Sequence, residues 1–340
     1  MCEENVKWFR SYLSNRTQTV KYKNFRSRNI NVKSGVPQGS HLGPILFIIF
    51  INDIISELKF TKAQLFADDL KLYAIVSSLM DCILFNKDLE TLDRWCETNG
   101  MEMNAKKCNV ISFYRKNCCN YEYKLSTNDI EPLERVSCIR DLGIMMDSKL
   151  KFREHVNIII NKANKQLGFV MRNSKNFQSK ETLRILYMSL VRPILTYNSV
   201  VWYPQNKETF DRLDKIQHKF LRFASFQLGI RRNLHDYTII ANHLKIPTIK
   251  SVFDVNDLSF IYRLCNNFTK CNELTNHINK PSNQHNIRYP NIFDLPYLLR
   301  DYLQNSPVYR PQKLANTHVR NQPFHGLLPK TFNCKAKRVI

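Results

Sequence analysis

Two adjacent carboxylates, Asp68 and Asp69, interrupt an otherwise apolar stretch of the chain. The residues on either side, 64–66 and 70–73, are mostly apolar and β-prone, and Asp is a common turn residue. The pattern therefore predicts two short strands joined in a hairpin, with the two carboxylates at its tip. Adjacent carboxylates repel each other, and a divalent cation bound to their hard oxygen atoms removes that repulsion. Such a hairpin is either an ordinary solvated turn or part of a metal site.

A loop bracketed by glycines lies upstream of this hairpin. It reads Gly-Val-Pro-Gln-Gly-Ser and supplies five candidate binding residues: Gly35, Pro37, Gln38, Gly39 and Ser40. Glycine on both sides of Pro-Gln allows a tight turn and lets the backbone approach a ligand closely. Taken alone, the loop is equally the ordinary start of a capped helix. Its occurrence together with the two carboxylates favours a functional role.

Two helices are predicted next to these motifs. The first runs over about residues 41–58 and is expected to be mostly buried; Ser40 is a suitable N-cap, and Pro44 is tolerated near a helix start. Its N-terminus directs positive partial charge toward the loop, which suits a phosphate. The second is predicted over about 78–99, where apolar residues recur at helical spacing and Gly100 fits the C-terminal stop.

The two motifs, in this order and at this spacing, resemble the reverse transcriptase of LINE-type, jockey-like retrotransposons, which lack long terminal repeats. The resemblance covers about residues 5–230 well and the rest loosely. It implies that Asp68 and Asp69 hold catalytic Mg²⁺ or Mn²⁺, with two ions expected in the complete enzyme. It also implies that the loop seats template and incoming nucleotide, and that Phe66 and Ala67 line the tip of the hairpin.

The same resemblance assigns roles to three further residues. Asn104 and Lys107 match the family's Asn-x-x-Lys, in which the lysine faces the triphosphate and belongs to the catalytic set; the other interpretation is a surface lysine. Leu142 and Gly143 match a segment that grips the primer. The aromatic residue usual before that Leu-Gly is replaced here by Asp141.

The net charge favours a polyanionic partner. The chain carries 51 Lys and Arg against 29 Asp and Glu, a formal net charge of +22. Nucleic acid is the usual partner of such a protein, and a membrane surface is the alternative. Residues 151–222 have a helical pattern, and they contain 14 Lys and Arg against 5 Asp and Glu. This basic module resembles a polymerase thumb, which follows a duplex by its phosphates, although a solvated basic face explains many of the same cations.

Cysteine usage and hydropathy predict an intracellular protein. The 10 cysteines are scattered without even spacing, and no Cys-x-x-Cys indicates a zinc site. No apolar run approaches the ~20 residues of a membrane helix, and the N-terminal residues lack the pattern of a signal peptide. We therefore expect the chain in the cytoplasm, the nucleus or both, with no membrane as a partner.

The sequence predicts an α+β architecture in three parts. Residues 1–146 are expected to form a partial polymerase palm, a small antiparallel sheet backed by the helices over 41–58 and 78–99. Residues 150–228 are expected to form an α-helical thumb. Residues 229–340 are expected to form a C-terminal extension that is partly irregular.

The resemblance implies an RNA-directed DNA polymerase that adds deoxynucleotides to a primer 3′-hydroxyl by two-metal catalysis. Its partners would be an RNA template, a DNA primer or hybrid duplex, and deoxynucleoside triphosphates. The family has a third metal-binding Asp on a strand upstream of the loop, but Glu3 and Glu4 are the only acids in residues 1–52. The chain is therefore expected to be the C-terminal portion of a longer enzyme, weakly active or inactive alone. A remnant that only binds nucleic acid is the alternative, and the charge disfavours an interaction protein without a nucleic-acid role.

Overall fold

A computed structural model describes residues 2–114, 118–126, 131–231, 233–278, 291–297 and 301–318. The chain divides into two compact units, Met1–Cys138 and Ile139–Ile340. The first unit contains the loop and the carboxylate hairpin singled out in the sequence, and the second is mostly helical. Each unit has its own apolar core.

The described ranges contain 14 α-helices. The first unit holds α1 (Glu3–Leu13), α2 (Gly43–Ile51), α3 (Ile54–Glu57) and α4 (Leu79–Thr98). The second unit holds α5 (Arg153–Asn173), α6 (Lys180–Leu186), α7 (Arg192–Thr196), α8 (Ser199–Trp202), α9 (Lys207–Gln227), α10 (Thr238–His243), α11 (Ile249–Cys265), α12 (Asn272–Thr275), α13 (Asp301–Gln304) and α14 (Tyr309–His318). A π-helical turn, Tyr187–Val191, joins α6 to α7. None of the helices in these ranges has both the length and the apolar character needed to cross a membrane.

The strands of the described residues pair in twos and form five separate small sheets. They are β1 (Arg16–Gln18), β2 (Lys21–Tyr22), β3 (Phe25–Arg26), β4 (Ile30–Val32), β5 (Lys62–Phe66), β6 (Asp69–Tyr73), β7 (Asn109–Val110), β8 (Glu134–Arg135), β9 (Cys138–Asp141) and β10 (Ile144–Asp147). The pairs β1–β4, β2–β3 and β5–β6 are antiparallel, whereas β7–β8 is parallel. The prediction of a mixed fold with helices and small antiparallel pairings is confirmed. The strands do not form the single small sheet predicted for the palm, because most of them pair locally as hairpins.

The core of the first unit lies between the β5–β6 hairpin and the helices that flank it. Leu65, Leu70 and Leu72 of the hairpin and Phe47 of α2 pack against one apolar cluster. The buried side chains of that cluster are Ile51, Ile54, Leu92, Trp95 and Cys96. The helices thus back the hairpin, as the sequence pattern predicts.

Helix α4 confirms the helix predicted over about 78–99. Ser78 and Asp81 form a capping box at its start, in which Ser78 Oγ accepts the N–H of Asp81 and the Asp81 carboxylate accepts the N–H of Ser78 at 2.8 Å. Gly100 follows the end of the helix with a φ of +65°, the left-handed conformation that glycine adopts without strain.

The helix predicted over 41–58 is divided into α2 and α3 and is less buried than expected. Asn52 and Asp53 separate the two segments, and both residue types are weak helix formers whose side chains compete for backbone hydrogen bonds. Ile51 is buried, but Ile48 is 58% exposed. The prediction of a mostly buried helix is wrong because α2 is apolar on all sides and meets the core of this unit on one side.

One large apolar core runs through the second unit. Helix α5 contributes buried side chains at helical spacing to this core: Val156, Ile159, Ala163, Leu167 and Val170. Leu213, Ile216 and Phe220 of α9 belong to the same cluster. These contacts confirm the helical pattern predicted within residues 151–222.

The predicted boundary at residue 229 does not coincide with a break in this core. Ile240, Leu244 and Phe253 belong to the same cluster as the side chains of α5 and α9. Phe253 also packs edge to face on Trp202, with the ring centroids 5.2 Å apart. The helical segment and the start of the predicted C-terminal extension are therefore one folded body.

Helix α14 is tied to this body by a buried ion pair. The guanidinium of Arg310 donates to both carboxylate oxygens of Asp257 on α11, at 2.6 and 3.0 Å. It also donates to the carbonyl oxygens of Asn305 and Val200, each at 2.7 Å, and lies 4.2 Å from the ring centroid of Tyr203. Burial raises the pKa of the Asp257 carboxyl to about 6, against the opposing effect of Arg310.

Candidate active site

The β5–β6 hairpin holds Asp68 and Asp69 at an exposed tip. Phe66 and Asp69 are the last pair of the antiparallel ladder, so Ala67 and Asp68 alone form the turn. Both carboxylates are exposed to solvent. The predicted hairpin is confirmed, and the role of its two carboxylates as metal ligands stays a prediction.

Alternation along the strands decides which side chains face solvent. Leu65 and Leu70 lie opposite each other in the ladder and pack on the core cluster. Phe66 and Asp69 also lie opposite each other, on the other face of the hairpin. Phe66 is 61% exposed. An open tip of this kind offers an aromatic ring for contact with a base or sugar beside oxygen ligands for a cation.

Ala67 occupies a backbone conformation that favours glycine. Its φ is +52°, and a positive φ at the first residue of a two-residue hairpin turn is normally supplied by Gly. We expect Ala67→Gly to relieve this strain and to raise the free energy of unfolding by about 0.5–1 kcal/mol. Ala63→Gly, inside β5 of the same hairpin, is the matched control and is expected to lower it. Urea denaturation measures the free energy of unfolding of both variants. If both substitutions change it in the same direction, the backbone at Ala67 is not strained.

A buried carboxylate that the sequence analysis does not single out holds the base of the hairpin. Asp88 on α4 is 2% exposed, and it accepts hydrogen bonds from the segment that leads into β5. The donors are the N–H groups of Lys59, Phe60 and Thr61, at 3.1, 2.8 and 2.7 Å, and the Thr61 hydroxyl at 2.8 Å. Charge-assisted bonds of this kind are strong, so Asp88 fixes where the first strand of the hairpin begins.

The glycine-bracketed loop has the tight backbone that its sequence predicts. Gly35 and Gly39 have φ values of +75° and +77°, a region that other residues rarely adopt. Ser40 Oγ accepts the N–H of Gly43, the first residue of α2, at 3.0 Å. Ser40 thus contacts the start of α2, but the predicted N-cap at Ser40 is wrong, because the helix begins later and Leu42 occupies the N-cap position. Gln38 and Gly39 are exposed, so this part of the loop is open to a ligand.

Gly43, the first residue of α2, lies against the loop and is not part of the predicted site. A Cβ atom at this position would lie 3.1 Å from Ser40 Oγ and 3.2 Å from the carbonyl oxygen of Pro37. Both distances are shorter than ordinary van der Waals contacts. The loop thus folds back on the first turn of α2, which any larger residue at Gly43 would push away.

Arg16, a residue of β1, links that strand to the same loop. Its guanidinium donates to the carbonyl oxygens of Leu13, at 2.9 Å, of Ser34, at 3.2 Å, and of Gly35. A planar group with several fixed donors suits this task better than an ammonium. The sequence offers no signal for this role, since Arg16 is one cation among several in a basic segment.

Lys107 belongs to a segment that packs on the same core as the hairpin. It ends a 3₁₀ turn, Ala105–Lys107, and is exposed. Met101 and Met103, just before this turn, pack against the cluster that also receives the hairpin leucines. Helix α2, the hairpin and the segment before Lys107 thus pack on one core. A contact of Lys107 with a triphosphate stays a prediction.

Leu142 and Gly143 form the turn of the β9–β10 hairpin in the second unit. Their φ values are +43° and +89°. The hydroxyl of Tyr197 donates to the Leu142 carbonyl oxygen at 3.1 Å, and a Cβ atom on Gly143 would lie 3.4 Å from Tyr197 Cε1. Tyr197 therefore holds this turn, whose role in gripping a primer stays a prediction.

Three exposed cations form what we call the α9 row: Lys215, Lys219 and Arg222. Their spacing puts them on one side of the helix. Lys219 also donates to Asn164 Oδ1 on α5 at 3.3 Å, which joins the row to the neighbouring helix. Cations in a line on a rigid helix can contact successive phosphates of one strand.

The hairpin tip has the ligand chemistry of a divalent-metal site. Asp68 and Asp69 offer carboxylate oxygens, the ligands that Mg²⁺ prefers, and Mg²⁺ usually binds one or two carboxylates together with waters and substrate phosphates. In the part of the chain that the structure describes, no group of three or more His, Cys, Asp or Glu side chains is arranged to hold a metal ion. The pair therefore fits part of the coordination shell of such an ion.

Comparisons with known proteins identify the family of this chain. Residues 1–190 match the sequence pattern of the family described as "Reverse transcriptase (RNA-dependent DNA polymerase)". Three proteins of Drosophila melanogaster are similar to the chain. The "RNA-directed DNA polymerase from mobile element jockey" is 26% identical over 232 residues, 64% of this chain and 24% of its own length. The "Probable RNA-directed DNA polymerase from transposon X-element" is 22% identical over 322 residues, 89% of this chain and 32% of its own length.

The third relative is the "Probable RNA-directed DNA polymerase from transposon BS", 24% identical over 223 residues, 63% of this chain and 24% of its own length. The chain thus spans about a quarter to a third of the length of these three relatives. The family match itself extends over more than half of the chain, and it includes the loop, the carboxylate hairpin and the Lys107 segment. The chain therefore belongs to the reverse transcriptase (RNA-dependent DNA polymerase) family.

Proposed function

We propose that this chain carries part of the machinery with which a retrotransposon copies RNA into DNA. The reaction is the addition of deoxynucleotides to a primer 3′-hydroxyl on an RNA template. The observation that carries the proposal is the Asp68–Asp69 pair, exposed at the tip of a hairpin whose base and inner face are both held by the core. The family match and the printed names of the relatives support the same reaction.

Asp68 and Asp69 are the residues that would hold Mg²⁺ or Mn²⁺. When bound, such an ion would neutralise the charge that develops on the transferred phosphoryl group. The contribution of the chain is positional. Asp88 fixes the start of β5 and the core leucines fix one face of the hairpin, so the two carboxylates stand at one defined place. Groups that are already in position add little reorganisation to the barrier.

Other residues of the chain are proposed to position the substrates. The exposed backbone and side chain at Gln38 and Gly39 would contact template and incoming nucleotide, and Phe66 would contact a base or sugar beside the carboxylates. The ammonium of Lys107 would attract the triphosphate and donate a proton to the departing pyrophosphate. The Leu142–Gly143 turn would contact the primer. In this assignment residues 1–146 act as the palm, and the helices within 150–228 act as the thumb.

A second candidate function is binding of nucleic acid without synthesis, although the family match and the printed names of the relatives support synthesis. The α9 row would still contact the phosphates of a duplex. In that case the chain binds an RNA–DNA hybrid with an affinity that falls steeply with salt, and it extends no primer.

Primer extension by residues 1–340 separates the two functions. The chain would be given an RNA template, a DNA primer, deoxynucleotides and Mg²⁺ or Mn²⁺. Extension of the primer supports synthesis, and hybrid binding without extension supports the second function. Any extension is expected to vanish in Asp68→Ala/Asp69→Ala and to persist in Asp53→Ala/Glu57→Ala, which removes two exposed carboxylates from the α3 region. Extension that survives the first variant would contradict the assigned role of the pair.

Cleavage by bound iron tests the carboxylate pair independently of turnover. Fe²⁺ occupies oxygen-ligand sites of Mg²⁺, and with ascorbate and peroxide it cuts the backbone next to the site. We expect cleavage within residues 66–70 of the unmodified chain and of Asp53→Ala/Glu57→Ala. The Asp68→Ala/Asp69→Ala variant is expected to lose it. Identical cleavage patterns in all three chains would mean that the tip holds no cation.

A further inference from the structure

The hairpin formed by β1–β4 is a basic element that neither the core nor the proposed catalytic residues use. We call residues 16–33 the basic hairpin; they contain six Lys and Arg and no Asp or Glu. Strands β1 and β4 form the base, and β2 and β3 form the outer part. Every residue from 21 to 30 is exposed. A strand pair without a buried face gains little from packing, so its side chains are available to a partner.

The outer part of the basic hairpin has two chemically different faces. Tyr22 and Phe25 lie opposite each other in the ladder and are 70% and 78% exposed. Lys21 and Arg26 are the neighbouring pair, and successive residues of a strand point to opposite faces. Lys23, at the turn, lies 5.6 Å from the ring centroid of Tyr22. The hairpin thus carries an aromatic pair on one face and a cationic pair on the other.

We propose that the basic hairpin binds single-stranded RNA, with bases stacked on Tyr22 and Phe25 and phosphates contacted by Lys21, Lys23 and Arg26. Aromatic side chains that stack on bases, together with cations that contact the backbone, are the combination with which proteins bind single-stranded nucleic acid without reading its sequence. Lys23 lies beside the Tyr22 ring, and the long side chains of Lys21 and Arg26 reach phosphates at the edges of the narrow two-stranded hairpin. The inference rests on the proposed function for the identity of the strand, because the template is its single-stranded partner.

The basic hairpin directly precedes the glycine-bracketed loop in the chain, so an RNA strand bound to it would lead toward the active site. Strand β4 ends at Val32, and the glycine-bracketed loop begins at Gly35. Arg16 of β1 donates to the carbonyl oxygens of Ser34 and Gly35, so the base of the hairpin and the start of the loop form one piece. Charge complementarity favours a polyanion, and the exposed ring pair favours unpaired bases over a duplex, whose bases are stacked inside.

Removal of the two rings tests the stacking. The double variant Tyr22→Ser/Phe25→Ser keeps all cations, and its side chains are exposed in the folded chain, so folding is expected to persist. The probe is an unstructured RNA of about 20 nucleotides, and its affinity is expected to fall about tenfold or more. Affinity for a blunt RNA–DNA hybrid of the same length is expected to change less than about twofold, because paired bases do not stack on the rings.

Removal of the cationic pair tests the phosphate contacts. In Lys21→Gln/Arg26→Gln, the slope of log affinity against log salt for the single-stranded RNA is expected to become shallower by about 1–2. The control Lys250→Gln/Arg263→Gln removes two exposed cations from α11, and its slope is expected to stay that of the unmodified chain. Circular dichroism of each variant verifies the fold.

The outcomes separate this inference from the proposed function. If single-stranded RNA binds the ring variant and the unmodified chain equally, the inference is wrong, whereas hybrid binding and iron cleavage at residues 66–70 still test the proposed function. If the ring variant loses affinity for phosphatidylserine vesicles and keeps its affinity for RNA, the surface binds membrane and the inference is wrong. If RNA binding falls in both hairpin variants and not in the α11 control, the inference stands even where no primer is extended.

Discussion

Replacement of Arg310 by Met is expected to lower the free energy of unfolding of the second unit by about 3–5 kcal/mol near pH 8. The guanidinium is the partner of Asp257, whose side chain is fully buried, and its removal leaves a carboxylate without a counter-ion in the core. The carbonyl oxygens of Val200 and Asn305 lose a donor as well. Met keeps much of the aliphatic volume of Arg, so the measured effect reports the lost charge and hydrogen bonds more than a cavity.

The loss of free energy of unfolding in Arg310→Met is expected to depend on pH. The pKa of Asp257 decides whether this loss grows or shrinks as the pH rises. Burial raises the pKa of this carboxyl to about 6 in the folded chain, whereas the pKa of an unfolded Asp is about 3.9. The folded state binds this proton more tightly, so the contribution of Asp257 to the free energy of unfolding falls as pH rises from about 4 to about 6. Without Arg310, which lowers that pKa, the pKa rises further. Arg310→Met is therefore expected to be less destabilising near pH 5 than near pH 8, because protonation of Asp257 removes the uncompensated charge.

Urea titrations followed by circular dichroism at the two pH values measure both effects. Arg263→Met, an exposed position on the same helix as Asp257, is the matched control and is expected to change the free energy of unfolding by less than about 0.5 kcal/mol. Addition of Asp257→Asn to Arg310→Met is expected to restore part of the stability near pH 8 and to remove the pH difference. A loss no larger than that of the control would mean that the ion pair does not hold α14.

Replacement of Asp88 by Ala is expected to lower the free energy of unfolding of the first unit by about 3 kcal/mol. The change leaves the N–H groups of Lys59, Phe60 and Thr61 without their acceptor. Asp88→Asn keeps one acceptor oxygen but turns an amide N–H₂ group toward some of these donors. We therefore expect Asp88→Asn to be destabilising, by less than Asp88→Ala.

Hydrogen exchange locates the effect of Asp88. In Asp88→Ala the amides of residues 59–66 are expected to exchange faster, because the start of β5 is no longer anchored. Glu97→Ala, an exposed position on the same helix, is the control and is expected to leave that exchange unchanged. If residues 59–66 keep their protection in Asp88→Ala, then Asp88 does not fix the start of the hairpin.

The elements that were predictable are those whose pattern is complete within a short stretch. The hairpin at Asp68–Asp69 follows from two β-prone runs around turn residues, and α4 follows from apolar spacing between Ser78 and Gly100. The glycines at 35 and 39 predict a tight turn, and both have a positive φ. In each case the signal and the structure lie within about 20 residues, so no distant partner has to be known.

The rest depends on partners far apart in sequence. Asp88 resembles any polar residue of an amphipathic helix, and its role is set by a turn almost 30 residues earlier. Asp257 and Arg310 are 53 residues apart. The exposure of α2 is also set by tertiary contacts, because its composition predicts burial whereas Ile48 is exposed. The local pattern weakens near residue 229, but the core cluster continues past it, because membership of a core is set by tertiary contacts.

The core that continues beyond α9 has a consequence for proteolytic nicking. Arg231 is exposed just after that helix, and trypsin cuts after such residues. The two resulting pieces are joined by buried contacts, among them the edge-to-face pair of Trp202 and Phe253 and the hydrogen bond from Gln217 to the carbonyl oxygen of Pro247 at 3.2 Å. A chain cut at this position is expected to elute from gel filtration as one particle and to come apart only in denaturant. An intact elution profile is thus no evidence of an intact backbone in this protein.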